Sequence, residues 1–525
     1  MKSLLILTLL ATALYSQSAL SVSALPKSKP KLLLVLVYDQ FRADYLYRFK
    51  DQFLPAKSGG KIGGFRYLME NGAYFPNAEY EVLQCMTCPG HAMILTGSYP
   101  YQNKIPLNDF FDRKKNSLVY CTFDDEYAHS PRMLQGSTVG DELKLISPQS
   151  KVFALALKDR SGIMLGGKTA NLALWMNQKE MKWETSGYYL KSKPDLSWID
   201  QLNKSAKYKK GAQYLWQAQY SKHKFNIVAD TNSGEFFGTP FGGEMTTQAA
   251  LATLEANKLG QGNQTDILAI SFSNHDMAGH RYGPNSPEME EMTLAEDRQL
   301  SELLTQINKK IPGGLNSVVI ALTADHGVAP MVEYSKSLGL DAGRIDQKSV
   351  LEKLNAKLDE QFGKGKKPLA LTYKSLNFYI DREEAQQRKL NITEIEKAMK
   401  AELLATEGVA HVFTRSEYLA GQHLPANLGK QIAKNYIPDI SGDVVVVPKP
   451  FWHEVATPPV NHLTGYTYDR TVPLLIVGAA VKGGVYPQNV HVVDLAPTLA
   501  TLIGTLAPSL SEGRVLHEIL DTKVK

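Results

Sequence analysis

Cysteine is what this chain has least of: 3 residues in 525. Three thiols cannot staple a fold of this size, so its stability must come from buried core. Charge of one sign is lacking too. The chain sets 58 Lys and Arg against 53 Asp and Glu, a net +5. No stretch is dense enough in Lys and Arg to track a phosphate backbone, which argues against nucleic acid as a specific partner. Hydrophobic content of 43% with 21% charged residues excludes a disordered or collagen-like chain. Internal repeats and low-complexity segments are missing. No apolar run reaches the ~20 residues of a membrane-spanning helix, so no stable membrane insertion is expected.

The N-terminus has its own pattern. Lys2 precedes an apolar run over 4–14, and Val22-Ser23-Ala24 supplies small residues at a cleavage position. That is the layout of a secretory signal peptide over 1–24. The remainder, 25–525, is expected to be periplasmic or secreted, soluble and monomeric.

Past a Pro/Lys/Ser linker, short β-branched apolar runs alternate with helical patterns. They fall at 32–38, 152–157, 267–272, 318–323, 444–447 and 472–477. Apolar on both faces and bounded by turn residues, they predict buried parallel strands in a doubly covered, mostly parallel α/β sheet. One amphipathic helix is expected from Pro287 to about Lys309, with Ser286 as N-cap. Residues of about 160–250 lack strong strand runs and are expected to be an addition to the sheet. Those of about 335–430 are expected to form a small α+β insertion, with strand-like pieces at 376–380 and 409–414 around a helical stretch at 392–404.

The position of the acids and histidines carries the chemistry. Run 32–38 ends on Asp39, and run 318–323 is followed by Asp325-His326. Run 267–272 leads into Asp276 and His280, and run 152–157 into Lys158 and Arg160. Ligands of open parallel sheets bind outside the carboxyl ends of the strands. Singly, each residue has an ordinary explanation as a cap or turn; together they bring carboxylate, imidazole and cations to one edge. Carboxylate oxygen plus imidazole nitrogen without thiolate is a zinc-type catalytic ligand set. Asp276 and His280, four apart, can converge on one ion from a turn past a strand.

A second focus is Cys85-Met-Thr87-Cys88-Pro89-Gly90-His91, with Gly97 as the expected C-cap of a helix opening near Thr87. Thr87 is either the N-cap of that helix or a nucleophile set at the positive end of its dipole. Cys85 and Cys88 form a Cys-x-x-Cys that is expected to pack or pair locally, which leaves Cys121 as the odd thiol.

Taken together, Val37-Tyr-Asp39-Gln-Phe-Arg-Ala-Asp, Thr87-Cys-Pro-Gly-His, Asp276-Met-Ala-Gly-His280, Thr-Ala-Asp325-His326-Gly and Tyr468-Asp469-Arg-Thr-Val-Pro resemble the alkaline phosphatase superfamily. The resemblance runs to its threonine-nucleophile branch of nucleotide pyrophosphatase/phosphodiesterases and bacterial phosphate-irrepressible alkaline phosphatases, over essentially the whole chain after the leader. It implies two Zn2+ ions. Asp276, His280 and His462 would hold one; Asp39, Asp325, His326 and the Thr87 oxygen would hold the other. His462 sits in His-Leu-Thr-Gly, seven residues before Asp469, where the family commonly has His-Gly and a short turn. His91, His275 and His453 match no ligand position. The resemblance further implies a phosphothreonine intermediate on Thr87, with Asn108, Lys158 and Arg160 gripping the phosphoryl oxygens.

A monoester brings three non-bridging oxygens and nearly two charges, so a Lys point charge and a forked Arg suit it better than a diester. Small-molecule phosphate monoesters are therefore the expected substrates. A phosphodiesterase or nucleotide pyrophosphatase is the alternative. A sulfatase fits less well, because Cys88 lies one residue past the nucleophile slot and His91 is not Arg. An inactive binding protein is disfavoured by seven chemically competent ligand positions.

Overall fold

Run 32–38 can face water on neither side, and all 7 residues of β1 (Leu32–Tyr38) are fully buried. The computed structural model describes residues 29–422, 426–455 and 459–521; the expected leader lies outside them. β1 is joined in one large sheet by β2 (Ala73–Glu79), β3 (Val152–Ala156), β4 (Leu172–Asn177), β5 (Lys182–Glu184), β6 (Asp266–Phe272) and β7 (Val318–Thr323). A second sheet holds β8 (Ala370–Lys374), β9 (Asn377–Ile380), β10 (Val409–Thr414) and β11 (Val444–Pro448). β12 (Thr471–Val477), β13 (Gly484–Val485) and β14 (Val490–His491) return to the first.

The large sheet has the order β5-β4-β3-β6-β1-β7-β12-β2-β13, with β14 also on β2. From β4 to β7 every pairing is parallel. β5 and β12 run the other way, β12 being antiparallel to both β7 and β2. The sheet is thus mixed, and run 472–477 is not one of the parallel strands expected of it. Run 444–447 leaves it altogether: β11 lies between β9 and β10 in an antiparallel four-stranded sheet. Helices Gln347–Phe362 and Ile392–Leu404 pack on that smaller sheet. Its core, with Leu354, Phe378, Ile395 and Val446, continues to Cys88 and Ala92 rather than into the large sheet.

Residues 160–250 are only in part an addition. β4 and β5 widen the large sheet, and helix Pro240–Ala256 packs against β3 and β6. Outside it stand helix Ser197–Lys204 and the hairpin Gln213–Gln217/Asn226–Asp230.

Register brings the site together. Tyr38 pairs with Phe272, Val37 with Thr323 and Ser271 with Ala156. The carboxyl ends of β1, β3, β6 and β7 therefore finish level, and the Tyr38 and Phe272 rings stack there with centroids 4.6 Å apart. The reversed β12 begins at this same edge, so the segment before it reaches the edge from outside. β2, opposed to β12 with Glu79 against Thr471, ends there too and leads toward Thr87. Among the described residues no helix is long and apolar enough to cross a membrane.

Candidate active site

Four helices start or stand at this edge: α1 (Thr87–Thr96), α2 (Asp159–Gly166), α3 (Asn274–Tyr282) and α4 (Pro287–Lys310). α4 starts as its sequence predicts, with the Ser286 side chain accepting from the Met289 amide. α1 ends on Gly97 in the left-handed region at φ 64°. Its start differs from the N-cap alternative: Met86 is the N-cap, no side chain caps the helix, and Thr87 is the first helical residue. The Thr87 hydroxyl is therefore not engaged in capping. Asp276 and His280 lie one turn apart on α3 rather than on a turn, which puts both on one helix face.

Two groups of ligand-type atoms face each other. In the first, Asp276 Oδ1 lies 3.2 Å from His280 Nε2 and 3.7 Å from His462 Nε2. In the second, His326 Nε2 lies 3.6 Å from Asp39 Oδ1 and 3.4 Å from Asp325 Oδ2. Two ligands about 2.1 Å from one tetrahedral ion stand about 3.4 Å apart. Asp276, His280 and His462 have that spacing as a set, and His326 has it to Asp39 and to Asp325, while Asp39 also groups with Asp276 and His326 and with His91 and Asp325. Lys158 Nζ spans the two, 2.7 Å from Asp39 Oδ2 and bonded also to Asp276 Oδ2.

The histidines are aimed. Nδ1 of His280 faces the Val460 carbonyl at 2.6 Å, that of His462 the Cys85 carbonyl at 2.7 Å, and that of His326 the Gly327 carbonyl at 2.9 Å. Each ring thus donates from Nδ1 and turns the Nε2 lone pair inward, the second-layer support typical of metal-binding imidazoles. Burial and the neighbouring His326 and His280 hold the His462 imidazole well below its ordinary pKa, in the neutral form a metal requires. Burial, then the Asp276 and Asp325 carboxylates, push the Asp39 carboxyl well above the usual carboxylate range. Asp39 Oδ1 and His326 Nε2 are buried yet make no hydrogen bond. Two facing acceptors without a donor, among crowded carboxylates, need a cation. The residues present fit divalent metal binding.

The remaining expected residues surround Thr87. Arg160 Nη2 lies 3.4 Å from Thr87 Oγ1. Asn108 Oδ1 accepts from the Cys88 amide at 2.8 Å. Lys158 and Arg160 are the N-cap and second residue of α2, so two helix N-termini, of α1 and α2, point at one place. Gly90 lets α1 approach the segment that follows β7: a Cβ there would meet the Asp325 carbonyl oxygen at 2.3 Å.

The cysteines pair differently from expectation. Cys88 is disulfide-bonded to Cys121, and Cys85 is the buried free thiol. Cys121 is brought to Cys88 by the hairpin Asp109–Asp112/Ser117–Tyr120, a pairing that no local spacing announces. His91, which matched no ligand position, stands at ligand spacing with Asp39 and Asp325, yet both its ring nitrogens have partners: Nδ1 lies 2.8 Å from the Thr87 carbonyl and 3.1 Å from Asp325 Oδ2, and Nε2 2.8 Å from Ser271 Oγ. His275 is paired with buried Glu296 at 2.8 Å. His453 is buried on the strand piece Trp452–Glu454, beside Arg344 of a paired one.

Sequence reasoning missed three contributors. Gln40, held at φ 68°, links both ligand groups: its amide donates to Asp325 Oδ1 at 3.0 Å and its Nε2 to Asp276 Oδ1 at 2.8 Å. Asp469 Oδ2 accepts from the Leu463 and Thr464 amides and from Thr464 Oγ1, at 3.2, 2.8 and 2.6 Å. It thereby fixes the turn after His462. Tyr120 touches Arg160. Gln40 and Asp469 left a sequence signal, each lying within a motif named above, and Tyr120 left none.

The sequence model of the type I phosphodiesterase / nucleotide pyrophosphatase family matches residues 33–462. Alkaline phosphatase PafA of Elizabethkingia meningoseptica is 28% identical over 96% of this chain and 96% of its own. Alkaline phosphatase PhoV of Synechococcus elongatus is 29% identical over 97% of each. The crystal structure of PafA superposes with a TM-score of 0.84 at 28% identity, over 95% of this chain and 100% of that one. The fold is therefore the α/β alkaline-phosphatase architecture. The murine ectonucleotide pyrophosphatase/phosphodiesterase 5 structure, at 16% identity and a TM-score of 0.52 over 90% of this chain and 95% of its own, shares the fold. The chain belongs to the type I phosphodiesterase / nucleotide pyrophosphatase family, within the alkaline phosphatase superfamily.

Proposed function

We propose that this protein is a zinc-dependent alkaline phosphatase that hydrolyses small phosphate monoesters through a phosphothreonine intermediate on Thr87. One observation carries the reading: two cations, the half-buried Arg160 beside the uncapped Thr87 hydroxyl and the buried Lys158 between the two ligand groups, converge on one place. Relatives named alkaline phosphatases over nearly the full chain support it.

In this reading Asp276, His280 and His462 hold one Zn2+, and Asp39, Asp325, His326 and Thr87 the other. Bound there, zinc supplies Lewis-acid polarisation of phosphoryl oxygen and makes an oxygen acid available as a base near neutral pH. The chain's own residues do the rest. Arg160 and the N-termini of α1 and α2 attract the dianion and orient it over Thr87 Oγ1. Thr87 forms the new P–O bond as the alcohol departs in line, and water then cleaves the phosphothreonine to free phosphate. Asn108 holds the Cys88 amide, next to the nucleophile, so that this end of α1 keeps its shape.

The cations favour monoesters. A diester brings one charge and a second substituent into the space of Lys158 and Arg160, whereas a monoester brings nearly two charges and three oxygens. Lys158→Ala should therefore lower hydrolysis of an aryl monoester far more than of a matched diester, and an unchanged ratio would sink the monoesterase assignment. Thr87→Ala, or chelation reversed by added zinc, should abolish both activities. A sulfatase is disfavoured further, since Cys88 is tied to Cys121 and offers no thiol for conversion. The same disulfide, with the leader pattern over 1–24, supports export to the periplasm or medium.

A further inference from the structure

We infer that Tyr120 is a positioning residue for Arg160, setting the guanidinium over Thr87 for phosphoryl recognition. The inference rests on the monoesterase reading and names a residue that reading does not use. An arginine side chain has many rotamers, and immobilising one costs conformational entropy that a bound substrate would otherwise have to supply. Here the cost is met in the fold. Arg160 Nη1 donates to the Tyr120 hydroxyl at 3.1 Å, which leaves Nη2 directed at Thr87 Oγ1. Arg160 Nε is buried without a partner, so Tyr120 is the fixed point from which this fork is aimed.

Tyr120 is itself held from three sides. Its hydroxyl donates to Asp159 Oδ1 at 2.8 Å. Asp159 Oδ2 in turn lies 3.4 Å from Thr122 Oγ1 and 3.3 Å from His129 Nδ1. The His129 ring meets the Tyr120 ring edge-on, with centroids 6.0 Å apart. The backbone beside it is tied to the nucleophile helix: Cys121 is disulfide-bonded to Cys88, and its amide donates to the Asn108 carbonyl at 2.9 Å. The two feet of one hairpin, with Asp109 opposite Tyr120, thus adjoin Asn108 on one strand and carry Tyr120 on the other. Burial raises the Tyr120 hydroxyl above its ordinary pKa, which keeps it a donor to Asp159 at the alkaline pH where such an enzyme works.

The alternative is a tyrosine that only packs. The two differ in what removal of the hydroxyl does. A packing role predicts no change or a general loss; a positioning role predicts a loss confined to what Arg160 recognises. The experiment is a double-mutant cycle on the full-length, zinc-loaded protein with Tyr120→Phe, Arg160→Ala and the pair, assayed on matched aryl mono- and diesters. Tyr120→Phe should lower monoester kcat/KM about tenfold, the scale of one hydrogen bond to a charged group. It should raise KM and the inhibition constant of inorganic phosphate, and change diester hydrolysis much less. In the Arg160→Ala background it should cost no more than about twofold. Equal losses on both esters, additive losses in the pair, or no loss in Tyr120→Phe where Arg160→Ala is impaired would each overturn the inference. An Arg160→Ala variant as active as the parent on monoesters would instead overturn the monoesterase reading. A urea midpoint for Tyr120→Phe equal to the parent's excludes misfolding as the cause of a loss, and Tyr120→Leu with the same selective loss would repeat the result without the ring.

Discussion

The two ligand groups make metal removal the most informative perturbation, and stability rather than turnover the clearest readout. In one group Asp276, His280 and His462 hold three protein atoms at the spacing of one ion; in the other His326 stands at that spacing from both Asp39 and Asp325. An ion bound only by the folded state stabilises it by about 1.4 kcal/mol for every tenfold rise in free ion above its dissociation constant. Two such sites give about 2.7 kcal/mol per decade of free zinc while both are saturated. The assay is urea unfolding in a series of zinc buffers, with the slope of unfolding free energy against the logarithm of free zinc as the result. His280→Ala takes an imidazole from the first group alone and should roughly halve the slope, to about 1.4 kcal/mol per decade. With all zinc chelated, Lys158 would be left to offset Asp39 and Asp276, to which it is bonded, while Asp325 has the imidazoles of His91 and His326 beside it, and stability should be lowest. A parent slope near zero, or one that His280→Ala leaves intact, would refute the assignment of one ion to each group.

Other outcomes follow from single contacts. Gly90→Ala would drive a methyl into the Asp325 backbone; it should lower activity at least tenfold and weaken zinc retention on dialysis, and wild-type retention would contradict the packing argument. Breaking the Cys88–Cys121 bridge, whose ends are 33 residues apart, should cost about 3–4 kcal/mol by loop closure, measured as unfolding free energy with and without reductant. A loss under about 1 kcal/mol would mean that the unfolded chain is not held open by reduction. Burial pushes the Asp469 carboxyl up to about 7. A raised carboxyl is most favourable when protonated, so its contribution is present at low pH and is lost as pH climbs from about 4 to 7. In chelated protein, Asp469→Asn should therefore gain stability relative to the parent across that window and hold a constant difference above it. A difference independent of pH would show that Asp469 titrates normally.

How much of this was legible beforehand varied with the range of the interaction. The Ser286 cap and the Gly97 stop of α1 were readable because capping is decided within a few residues. Asp39, Asp276, Asp325, Lys158 and Arg160 could be collected at one edge because each follows a buried run by a residue or a few. His462 was reachable only through its motif, since no apolar run leads into it. It gets to the edge because β12 runs backwards, and an apolar run reads the same in either direction. Strand 444–448 was misplaced for the same reason: a valine run does not say which sheet will bury it.

The sequence by itself thus determined the runs that must be buried, the residues that leave their ends, and the ligand chemistry those residues can offer. Only the tertiary structure decided that Cys88 would join Cys121 and not Cys85, that Gln40 would tie Asp276 to Asp325, and that Tyr120 would sit under Arg160. Those contacts join residues 33, 236 or 285, and 40 positions apart. No local periodicity encodes them, because they depend on how strands of the folded sheet are ordered and registered against one another.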